Sequence, residues 1–179
     1  MLHITIPENE LWDEINERFL STKEQSLVLE HSLVSLSKWE SKWCKPFFSK
    51  QKTHEEIIDY VRCMTITQNV DPGVYEFLTR DNLEQIDKYI DAPMTATWFR
   101  KSEHKPRTNK IITSERIYCW MIALHIPFEC QKWHLNRLMT LIRVCNIENK
   151  PPKKMSQREI MSRNAALNAA RRKRLNSKG

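Results

Sequence analysis

Glycine is almost absent from this sequence: Gly73 and Gly179 are its only two in 179 residues. Glycine supplies the positive-φ positions of tight hairpins and of loops that cradle phosphate. A large all-β fold, a doubly wound α/β fold and a phosphate-binding Gly loop are therefore excluded. Long apolar runs are missing too, and none approaches the 18 residues of a membrane span. The opening Met1-Leu2-His3-Ile4-Thr5-Ile6-Pro7 has neither a basic n-region nor an apolar h-region, so no signal peptide is expected. The five cysteines (Cys44, Cys63, Cys119, Cys130, Cys145) are odd in number and form no C-x-x-C, unlike a secreted disulfide scaffold. A soluble protein of a reducing compartment is the expectation.

Catalytic constellations are equally scarce. Cys130 and His134 stand four apart on an expected helix, with Cys119 and His125 nearby, but the second close ligand pair of a zinc site is missing. Cys63 and Cys145 fall on helical apolar stripes, where thiols are core material. The acid pairs Asp13-Glu14 and Glu55-Glu56 are explained by solvent exposure and helix-start charge. The reading is non-enzymatic, without metal or cofactor.

Charge is present but unevenly placed. From Lys150 to Gly179 there are ten basic residues against the single acid Glu159, a segment of +9. Residues 1–149 hold 19 basic and 21 acidic residues, or −2. Any affinity for a polyanion belongs to the last thirty residues. They contain no aromatic to stack on a base, so nucleic acid is the second choice of partner.

Periodicity gives the fold. Leu2, Ile4 and Ile6 alternate as in a half-buried strand, and Ile15–Leu20 with Gln25–Leu29 suggests a hairpin around Ser21-Thr22-Lys23-Glu24. From Ser32 the spacing becomes helical: Leu33, Leu36, Trp39 and Trp43 share a face until Pro46. Thr53-His-Glu-Glu56 is a capping box opening a helix with Ile57, Tyr60, Val61 and Met64 inward. Asp71-Pro72-Gly73 reads as a turn. Asp81-Asn-Leu-Glu84 caps a helix carrying Leu83, Ile86, Tyr89 and Ile90 until Pro93. Arg100–Lys110 reads as a surface loop. Thr113 or Ser114 caps a helix with Ile117, Trp120, Met121 and Leu124, and Pro127 opens another bearing Trp133, Leu135, Leu138, Met139, Ile142 and Cys145. Lys150-Pro-Pro-Lys-Lys154 is a stiff tether, and Ser156-Gln-Arg-Glu159 caps an Ala/Arg-rich helix reaching about Arg174. The expected fold is α+β and mostly α: a small N-terminal sheet or hairpin, about five helices, and a basic C-terminal helix. Residues 1–149 form the globular domain and 150–179 the tethered tail.

The run Leu29-Glu-His-Ser-Leu-Val-Ser-Leu-Ser-Lys-Trp-Glu-Ser-Lys-Trp43 with Lys45-Pro46-Phe47 resembles a block in the tail assembly chaperones of long-tailed, siphovirus-like bacteriophages. So do Asp59-Tyr-Val-Arg-Cys-Met-Thr65, Met94-Thr-Ala-Thr97 and the ending Arg163-Asn-Ala-Ala-Leu-Asn-Ala-Ala-Arg-Arg172. The resemblance implies a non-enzymatic helper made in the cytoplasm of the infected bacterial host and absent from the mature virion. Its partners are the tape measure protein, which it keeps soluble, and the major tail protein. Self-association is left open, and no membrane partner is expected. The family often has a frameshifted longer form, so a chain ending at Lys178-Gly179 is read as the short form or as a member without that device. Trp39, Trp43, Phe47 and Phe48 are the candidate contacts for an apolar helical stripe, with core packing the competing role. Arg163, Arg171, Arg172, Lys173 and Arg174 are the candidates for steering an acidic partner. The alternative is a phage structural or packaging protein that binds nucleic acid through this tail.

Overall fold

The computed structural model describes residues 1–13, 18–49, 51–99, 111–150 and 155–176, with the side chains of 11–21 set aside. The expected loop at 100–110 and the two prolines of the tether lie outside the described residues, as does the start of the strand expected over Ile15–Leu20. The fold is α+β and mostly α. The chain divides into two compact units, Met1–Asn146 and Ile147–Gly179.

Four strands open the first unit: β1 Leu2–Ile6, β2 Asn9–Asp13, β3 Arg18–Thr22 and β4 Gln25–Leu29. They form two antiparallel pairs, β1 with β4 and β2 with β3. The hairpin expected between Ile15–Leu20 and Gln25–Leu29 does not form. Instead Ile4 lies opposite Leu27 and Leu2 opposite Leu29, while β3 turns back on β2. The alternation explains the choice. Leu27 and Leu29 need a partner of the same two-residue period facing the same side, and β1 supplies Ile4 and Ile6. All four side chains are buried.

Five helices follow: α1 Leu33–Trp43, α2 His54–Met64, α3 Arg80–Asp91, α4 Ser114–Ala123 and α5 Leu135–Glu148. Helix α1 packs on α2 and α4, and α3 packs on β1. Ser32 caps α1 through a box with Ser35, and Cys44 ends it in the left-handed region at φ 51°. The Thr53/Glu56 box opens α2. The box at α3 differs from expectation: Thr79 is the cap and Asn82 its partner, not Asp81 and Glu84. Asn82 earns the place by tertiary contact, since its amide also donates to the Thr5 carbonyl of β1 at 3.2 Å. Pro72–Phe77 is a 3-10 helix whose cap Asp71 accepts from the Gly73 amide, where only a turn was expected. The helix expected from Pro127 is broken as well. Phe128–Lys132 is 3-10, and α5 starts only at Leu135, after His134. The break is fixed by the Leu135 amide, which donates to the His31 carbonyl at 2.7 Å.

The second unit carries α6, Gln157–Leu175, opened by the Ser156/Glu159 capping box. No residue of α6 is buried.

Candidate functional site

The candidate site is built from two helical stripes that face one another without closing. On α2 the stripe is Ile57, Tyr60 and Val61; on α3 it is Leu83, Ile86 and Ile90. Both follow the three-or-four spacing of one helix face. Tyr60, Val61 and Ile86 are buried, whereas Ile57 remains 40% exposed. That corrects the expectation that Ile57 points inward. Between the stripes lies an open groove of about 490 Å³, with Phe47 at its lining and Lys52, His54 and Asp87 as its polar members.

Beside the groove, the end of α1 is fastened to α2. Phe47 packs on Tyr60 with ring centroids 4.2 Å apart and meets Trp39 edge-on at 5.3 Å. The Trp39 indole N–H donates to the Glu56 carbonyl at 2.8 Å, and the Trp43 indole N–H to Asp59 Oδ2 at 2.8 Å. Lys42 pairs with Asp59 and Lys45 with Glu56. The Lys45 ammonium first, and then the Thr53 amide, hold the Glu56 carboxyl below its ordinary range. Lys52 Nζ lies 4.2 Å from the Phe47 ring centroid, and burial lowers its pKa.

This settles where the four aromatic candidates stand. Trp39 is fully buried and Phe47 nearly so; both belong to the core, and of the two only Phe47 shows an edge in the groove. Trp43 is half-buried and packs against that core. Phe48 is 50% exposed and stacks edge-on with Phe47 at 5.7 Å. Of the four, Phe48 is the most exposed, next to Phe47 but not itself a lining residue of the groove. Arg163, Arg171, Arg172, Lys173 and Arg174 all lie on α6 and all are exposed.

Two buried polar centres went unnoticed in the sequence. Glu40, although buried, faces no cation among the described residues; its Oε1 accepts from the Phe47 amide at 2.8 Å and its Oε2 from the Ser114 amide at 2.7 Å. Ser114 is the first residue of α4, so the carboxylate sits at a helix N-terminus, where aligned peptide dipoles favour negative charge. It ties the end of α1 to the start of α4. The other centre is a pair of buried imidazoles, His31 and His134, with ring centroids 5.1 Å apart. His31 Nδ1 lies 2.6 Å from the Tyr60 hydroxyl. His134 donates from Nε2 to the Tyr89 carbonyl at 3.0 Å and accepts the Asn136 amide at Nδ1. Burial first, and the neighbouring His134 second, lower His31 to about 4. Burial also lowers His134. With His31 Nδ1 on the Tyr60 hydroxyl and both His134 nitrogens bonded, the two imidazoles are joints of the fold that join the end of β4 and the start of α5 to α2 and α3.

His134 spends Nε2 on a carbonyl, Cys130 is buried in the 3-10 segment, and Cys119 is exposed on α4. No cluster of three His, Cys, Asp or Glu side chains suited to a metal occurs among the described residues. Burial, then Asp59, pushes the Cys63 thiol up to about 11, away from the thiolate form. Among the described residues no helix is long and apolar enough to cross a membrane.

No family model matches the chain, no curated protein matches it, and no solved structure matches it.

Proposed function

We propose that this chain is a bacteriophage tail assembly chaperone: a non-enzymatic protein that binds the tape measure protein in the infected bacterial cytoplasm and assists tail tube assembly. The observation that carries the reading is the open apolar groove between α2 and α3. A groove lined by two helical stripes suits a third helix, which lays an i, i+3, i+4, i+7 stripe into it. A long helical protein with such stripes is the partner that the sequence resemblance implies. The resembling words bear on this groove directly. Asp59–Thr65 contains Tyr60 and Val61 of its lining, and Leu29–Trp43 with Lys45–Phe47 builds the aromatic support beneath it. Partner contact falls to Ile57 and Phe48, with Trp39 and Phe47 fixing the shape from below.

The test is co-expression with the tape measure protein of the same phage, followed by pull-down with and without nuclease. Recovery of soluble tape measure protein, unchanged by nuclease, is the expected result. A tape measure protein that stays insoluble, with only nucleic acid recovered, overturns the reading in favour of a structural or packaging role.

A further inference from the structure

The second unit presents a 19-residue helix with every side chain exposed, about 28 Å long at 1.5 Å per residue. Apolar association does not account for it. Ile160, Met161, Leu167 and Leu175 lie towards one side, but Asn164, Asn168 and Arg171 are interleaved with them, so no continuous apolar stripe forms. Dipole complementation does not account for it either, since one or two cations in the last turn suffice for that. Arg171, Arg172, Lys173 and Arg174 are four adjacent like charges on a helix that is marginal alone in water. A polyanion would relieve that repulsion.

At about 100° per residue, Asn164, Asn168, Arg171 and Arg172 fall on one face. Arg163 and Arg174 fall on one flank of that face and Arg158 on the other, Lys173 lies towards the back, and the exposed Met161 and Leu175 share the face with the four polar residues. Asparagine and arginine are the side chains whose paired polar atoms match adenine and guanine edges in a major groove. Flanking cations reach the two phosphate walls. Ala166, Ala169 and Ala170 lie towards the back of the helix beside Lys173 and Glu159, and a B-form major groove about 12 Å wide admits a single helix. An A-form groove is too narrow, and the absence of aromatics disfavours single strands. The one acid, Glu159, is occupied, accepting from the Ser156 amide at 2.8 Å and the Ser156 hydroxyl at 2.9 Å.

We propose that α6 is a double-stranded DNA-binding element, seated in the major groove through the face that carries Asn164, Asn168, Arg171 and Arg172. The proposal does not rest on the tape measure reading, which concerns the groove of the first unit.

The test is fluorescence anisotropy of the full chain with a labelled DNA duplex of about 20 base pairs, spanning roughly two helical turns. With about five phosphates neutralised, affinity should fall about 500-fold between about 50 and about 200 mM salt. The double variant Arg171→Glu/Arg172→Glu should lose DNA binding while the thermal unfolding of the chain is unchanged. An RNA duplex of the same sequence bound equally well or better overturns the major-groove assignment. So does a charge-reversed variant that binds as the parent does. Binding to polyglutamate with none to DNA at low salt overturns it in favour of an acidic protein partner.

Discussion

Mild acid should weaken the fold through the buried pair His31 and His134. Both are buried, and the groups facing them are the Tyr60 hydroxyl, the Tyr89 ring and carbonyl, the Phe47 ring and, through its bond to the Tyr89 hydroxyl, Glu30. His31 is lowered from 6.5 to about 4 by burial and then by His134. A histidine in the unfolded chain takes up its proton near pH 6.5, whereas folded His31 stays neutral until about pH 4. The unfolded state therefore binds more protons in that window, and stability is whole above pH 6.5 and lost as pH falls towards 4. The full loss from His31 is about 3 kcal/mol, of which about 2 kcal/mol is gone by pH 5. His134, lowered by burial, acts in the same direction. Glu56 does not interfere, because a carboxyl held low loses its contribution only below the ordinary carboxylate range. Urea unfolding followed by tryptophan fluorescence at several pH values between 7 and 5 measures the effect. His31→Gln removes one titrating ring and should flatten most of the slope. A parent protein equally stable across that range, or a variant with the parent's slope, refutes the reasoning.

Replacing Glu40 by Ala leaves the Phe47 and Ser114 amides without their acceptor and should cost about 3 kcal/mol in urea unfolding, while Glu40→Gln, which keeps one acceptor oxygen, should cost less. Trp39→Ala removes a fully buried indole and should cost about 4 kcal/mol, enough to lower the melting temperature by many degrees. Phe48→Ala at a half-exposed site should change stability by less than about 1 kcal/mol but weaken partner capture in the co-expression assay.

How far the sequence carried the fold depended on the range of the interactions. Local signals held. Thr53 with Glu56 and Ser156 with Glu159 each satisfy helix-end amides within four residues, and both boxes form. Failures came where a distant residue decided between local options. Thr79 and Asn82 displace the Asp81/Glu84 cap because Asn82 also reaches β1. Strand β4 leaves β3 for β1 because burial of Leu27 and Leu29 outweighs the shorter connection. The break before α5 was invisible for the same reason: it is set by the carbonyl of His31, far away in sequence. The candidate site was half readable. Its two stripes were plain in the spacing of Ile57, Tyr60 and Val61 and of Leu83, Ile86 and Ile90. Spacing says which side chains face a neighbouring helix, not whether the two faces meet. That Trp39 supports the site rather than forms its surface follows from its indole bond to the Glu56 carbonyl, which no pattern announces.

The most direct measurement of the central claim is the co-expression assay repeated with Ile57→Arg. Ile57 is 40% exposed at the lip of the groove, so an arginine there keeps the core intact and places a charge where an apolar helix would lie. The account predicts a stably folded variant, checked by circular dichroism, that no longer keeps the tape measure protein soluble. A variant that retains its partner as well as the parent does contradicts the account and removes the groove from consideration.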